Sequence, residues 1–165
     1  RAGELLDVTR HPRPIPAVQA VRGLLQRLKP YLTELGDYDE VEQLAIRCRL
    51  LDTDVPLVII PRPDRGMVTL AVTLPFAIPG ARYPQIGESL TILNARSYMG
   101  AWILNADKGE VYFRITLPAN EVEYGDEALR FVASIVVSSA DAMAKALFAV
   151  AQQGAPPDVI AQTKV

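Results

Sequence analysis

The chain has 165 residues, half of them apolar and 22% charged, and 17 Lys and Arg stand against 19 Asp and Glu for a net charge of −2. That is the length of one ordinary domain with enough apolar surface for a core, which excludes wholesale disorder. One cysteine (Cys48) and one histidine (His11) exclude a disulfide framework, a cysteine zinc cluster and a His–His metal pair.

Residues 1–16 hold His11-Pro12-Arg13-Pro14-Ile15-Pro16. Three prolines in five positions favour an extended arm. Val18, Val21, Leu25, Leu28, Leu32 and Leu35 then step by three and four, which predicts an amphipathic helix kinked at Pro30 and stopped at Gly36. In Leu44-Ala45-Ile46-Arg47-Cys48-Arg49-Leu50 the period drops to two, so a half-buried strand is expected, with Arg47 and Arg49 on its wet side. Val55 to Ile60 reads as a second strand between Pro56 and Pro61, and the alternating Val68, Leu70, Val72 and Leu74 as a third. The turn chemistry of Pro61-Arg62-Pro63-Asp64-Arg65-Gly66 joins them. Short connections make this a three-stranded antiparallel meander.

A loop over 75–84 leads to a shorter helix carrying Ile86, Leu90 and Leu93, with Pro84 near its start. Residues 98–104 alternate, Asn105 to Gly109 is a hairpin turn, and Val111, Phe113, Ile115 and Leu117 alternate against Tyr112, Arg114 and Thr116. The last element is a long helix from Asp126 to about Gln153, ended by Gly154, Pro156 and Pro157. Leu129, Val132, Val136, Met143 and Leu147 are its sheet-facing set; Phe131, Ile135 and Phe148 are surplus apolar groups and candidates for binding a partner. Residues 154–165 read as a flexible tail. The class is α+β, with one domain over 17–153.

Little of the inventory suits bond-making chemistry. Cys48 belongs to the apolar set of its strand and His11 to the arm, so no nucleophile and base come together. No phosphate-loop glycine pattern is present. The acidic run Asp37-Tyr38-Asp39-Glu40 lacks calcium-loop spacing and reads as a solvated turn, as do Asp52 and Asp54. The expectation is a protein without catalytic residues, metal or cofactor. Arg47, Arg49, Arg62, Arg65 and Arg114, with Tyr112, are the candidate nucleic-acid residues, because arginines and an aromatic on an open sheet face hold a single strand by charge and stacking. The plainer reading, favoured by the acidic balance elsewhere, is that they keep such a face soluble and blunt its edges. Tyr98, Trp102 and Tyr112 are also candidate interface anchors. No uninterrupted apolar run reaches the roughly 18 residues of a membrane span, so no membrane partner is expected and a cytoplasmic place is. An arginine in first position reads as a trimmed start.

Leu93-Asn94 closing the middle helix, Gly100-Ala101-Trp102 opening a strand, Asp107-Lys108-Gly109 at the turn and Val111 to Pro118 after it resemble the YbjN family, which shares the class I type III secretion chaperone fold. The resemblance covers about residues 17–153 by element order and the second hairpin by residue pattern. It implies a non-catalytic protein-binding module, an adaptor or chaperone in a bacterial stress or repair pathway, working as a homodimer. In the chaperone relatives the middle helix and the following strand make the two-fold contact, which here points to Ile86, Leu90, Leu93, Tyr98 and Trp102. The alternative is a single-stranded nucleic-acid binder, or a partner of a single-strand-binding protein in repair.

Overall fold

The computed structural model describes residues 23, 24, 26–28, 38–40, 44–62, 65–119 and 123–163. The arm, most of the first helix, Pro63 and Asp64 lie outside them. What is described of that helix (α1) is residues 23, 24 and 26–28, with Leu24 and Leu28 buried.

Six antiparallel strands form one sheet in the order β1-β2-β3-β4-β6-β5. They are β1 (Tyr38–Glu40), β2 (Leu44–Leu50), β3 (Thr53–Arg62), β4 (Met67–Thr73), β5 (Ala101–Asn105) and β6 (Glu110–Pro118). The α+β order expected from the sequence is present, with two additions, a short strand and a short last helix. Tyr38–Glu40, read as a solvated turn, is a three-residue strand paired with Leu44–Ile46 at the sheet's end. β3 runs through both of its prolines rather than stopping at them, and pairs over its whole length. Leu51 and Asp52 turn the β2–β3 hairpin with φ of 49° and 61°, the left-handed geometry that a tight two-residue hairpin demands and that glycine or asparagine adopts at less cost.

Helix α2 (Tyr83–Arg96) follows a short 3-10 turn at Gly80–Arg82 and carries Pro84 in its first turn. Ile86, Leu90 and Leu93 form its buried stripe. The strand after it starts at Ala101, later than the alternation suggested. Gly100 breaks the run with φ +80°, and a Cβ there would sit 2.6 Å from the carbonyl oxygen of Arg114 and from the ring of Phe113. Only glycine lets the chain cross β6 so closely.

Helix α3 (Asp126–Gln152) lies along the sheet, and its expected inward set, Leu129, Val132, Val136, Met143 and Leu147, is buried. By length and hydropathy alone α3 is apolar enough to cross a membrane, with an 18-residue window averaging 1.5. The absence of a continuous apolar run therefore did not exclude such a helix. That apolar content is spent on the sheet: the inward residues share one core with Leu57, Leu70, Phe113 and Ile115. Arg27 joins the first helix to the start of α3, with Nη2 3.1 Å from the Asp126 carboxylate and a further bond to the Tyr124 carbonyl.

The chain beyond Gly154 is not a tail as far as Thr163. Asp158–Gln162 form α4, and Ile160 is fully buried in the main core. Arg96, at the end of α2, donates from Nη1 to the Ile160 carbonyl (3.1 Å) and from Nη2 to that of Thr163 (3.2 Å), satisfying acceptors that a five-residue helix leaves open.

Candidate functional site on the open face of the sheet

Strand alternation sends every second residue to each side of the sheet. One side carries Leu57, Val72, Phe113 and Trp102 in a single cross-strand row, beneath the helices. The Trp102 and Phe113 rings lie 5.1 Å apart there. The other side carries Arg62 and Met67 in one row, Ile60, Thr69 and Thr116 in the next, and Val58, Ala71, Arg114 and Ala101 in a third. Thr73, Tyr112 and Ile103 make a fourth. Arg62, Met67, Arg114 and Thr116 are exposed, while Val58, Ile60, Ile103 and Tyr112 are half-buried.

This open side has a cleft of about 480 Å³ lined by Arg62, Arg65, Met67, Thr69, Arg114 and Thr116. Its shape follows from the register. Arg114 stands between two alanines, Ala71 and Ala101, whose small side chains leave its stem uncrowded. Beside it the hydroxyls of Thr69 and Thr116 are 3.0 Å apart and hydrogen-bonded, a cross-strand threonine pair worth about 0.2–1 kcal/mol. Each hydroxyl still has a lone pair or a proton to offer a ligand. Among the described residues, no acidic side chain lines the cleft. Among the described residues, neither Arg62 nor Arg114 has an ion-pair partner. Tyr124, beyond the end of β6, donates to the Pro118 carbonyl (2.9 Å), and burial raises its hydroxyl above the usual phenol pKa.

Of the five candidate arginines the structure brings three together, Arg62, Arg65 and Arg114, from the β3–β4 hairpin and β6. Arg49 is exposed on β2, opposite Asp54, with the Asp52 carboxylate 3.9 Å away. Arg47 pairs with Pro56 in the register, and its side chain lies outside the described residues. Cys48 is likewise placed only by its backbone, opposite Val55.

The expected dimer residues fare differently. Ile86, Leu90, Leu93 and Trp102 are 0%, 5%, 3% and 5% exposed, because the apolar stripe of α2 and the inward side of β5 are consumed by the protomer's own core. They therefore cannot serve as a surface patch in this fold. Trp102, expected among the exposed aromatics, faces inward for the same reason. Tyr98 alone is fully exposed, in the turn before Gly100. The β5 edge is covered at Trp102. The Asn94 side chain donates to the Trp102 carbonyl (3.0 Å) and accepts from its N–H (2.8 Å), occupying groups that would otherwise be open to a further strand.

Two of the three partner candidates on α3 are partly buried. Phe148 stacks edge-on against Phe76, with centroids 5.3 Å apart, and Ile135 packs against the core. Phe131 is 57% exposed, beside a second hollow lined by Asp126, Glu127, Arg130 and Ser134. The described residues hold no group of three or more His, Cys, Asp or Glu side chains placed to bind a metal.

No protein-family model matches this chain, and a search of curated proteins returned no match.

Proposed function

We propose that this chain is a non-catalytic binding module whose partner is anionic and lies across the open face of the sheet. The observation that carries this reading is the cleft. Three guanidinium groups, two from the β3–β4 hairpin and one from β6, share one concavity with two hydroxyls and, among the described residues, no carboxylate. Clustered cations repel one another, and a bound anion relieves that repulsion. The forked geometry of arginine suits oxyanions of phosphate or carboxylate type.

The bacterial stress or repair setting implied by the YbjN resemblance is compatible with such a module and belongs to this proposal, as does a cytoplasmic place, which suits a chain with one cysteine. The homodimer is not carried into it, since four of its five residues are internal. A polypeptide partner docked elsewhere is a second reading, favoured by the exposed Phe131 on α3.

Retention on a heparin column, a polyanion with neither bases nor peptide, tests the main reading. Wild type is expected to be retained at low salt, and the Arg62→Glu/Arg114→Glu variant to elute clearly earlier. Equal elution of the two would count against the open face.

A further inference from the structure

Resting on that reading of the open face, we propose that its partner is a single-stranded nucleic acid, with backbone phosphates held by Arg62, Arg65 and Arg114 and a base stacked on Tyr112. Polypeptides that join a sheet in extended form do so at an edge, through unpaired main-chain groups. The cleft is not at an edge. It lies over β3, β4 and β6, whose main-chain groups are engaged by neighbouring strands, and the Trp102 groups at the β5 edge are taken by Asn94. A ligand on a sheet face must be recognised by side chains alone.

The side chains offered are cations, hydroxyls and one aromatic in adjoining rows. Tyr112 is two residues from Arg114 on the same side of β6, opposite Thr73 and Ile103, and is half-buried at its base. A partly exposed ring one row from the Arg114 guanidinium provides a stacking surface at the end of a phosphate clamp, the combination by which single strands are bound with little sequence preference. All three cations are arginine, which also stacks on bases. The half-buried Val58, Ile60 and Ile103 extend the face as an apolar floor.

The test is fluorescence anisotropy with a labelled oligothymidine of about 15 nucleotides, run beside a labelled polyglutamate of equal charge. Three phosphate contacts on a single strand predict affinity falling about 20-fold between about 50 and 200 mM salt, because each neutralised phosphate contributes about 0.7 to the log–log slope. In Arg62→Ala/Arg114→Ala, folded by circular dichroism, that fall should shrink to about 3-fold. Tyr112→Ala should lose about tenfold in affinity at either salt. Should the double variant fail to fold, Arg114→Lys is expected to keep the salt dependence and bind more weakly.

Tighter binding of polyglutamate than of the oligonucleotide overturns the nucleic-acid assignment and leaves the open-face reading standing. Saturable oligonucleotide binding that the arginine substitutions do not alter overturns the placement of the strand. Binding of neither probe overturns both.

Discussion

The two sides of the sheet are built from the same strands and have opposite chemistry. On β6, Phe113 and Ile115 are almost entirely buried, while Arg114 and Thr116 between them stand in solvent. One side is closed by α2, α3 and α4 and holds the molecule together. The other holds three arginines around a cleft and contributes little to the core. A change one residue along a strand therefore moves from the part that determines stability to the part proposed to meet a ligand.

Truncating neighbours on β6 should separate the two sides most strongly. Phe113→Ala should cost about 3–5 kcal/mol in urea unfolding, and Arg114→Ala no more than about 0.5 kcal/mol. Similar losses at both sites would mean that the sides are not independent. Gly100→Ala comes next, at about 3 kcal/mol, because it adds a clash with β6 to a positive φ. A near-neutral result would mean that the approach of Gly100 to β6 is looser than described.

Asn94→Ala sharpens the contrast between covered and open surfaces. It should cost about 1–2 kcal/mol through two lost hydrogen bonds to Trp102. It also exposes a strand edge, so concentration-dependent association should appear in sedimentation where wild type shows less. Smallest is Leu51→Asn in the β2–β3 turn, expected to stabilise by up to about 1 kcal/mol by easing a left-handed backbone.

Local periodicity reveals the inward set of each element but not what covers it. Val68, Leu70 and Val72, and the five inward residues of α3, could be read directly because their spacing matches one face. Trp102 could not. Alternation puts it on a face with its neighbours at two-residue spacing, and Gly100 resets the strand, so Tyr98 and Trp102 end in opposite environments. Leu90 and Leu93 read as well for a dimer contact as for an internal one, because a helical stripe does not name its partner. Ile160 was hidden by the prolines before it, and its burial is supported by Arg96 from 64 residues earlier.

The cleft lay between these cases. Its arginines were visible as wet-face residues, but their convergence depends on the pairing of β4 with β6, which places Thr69 opposite Thr116. That pairing joins segments separated by the whole of α2 and β5. No local pattern encodes it.

The most direct test of the open face as the binding surface is a nitrogen-15 NMR titration of the protein with oligothymidine. Saturable amide shifts are expected at Arg62, Met67, Thr69, Tyr112, Arg114 and Thr116, with α2 and α3 nearly still. Shifts centred on Phe131 or Tyr98, or no saturable shift at all, would contradict binding at the open face.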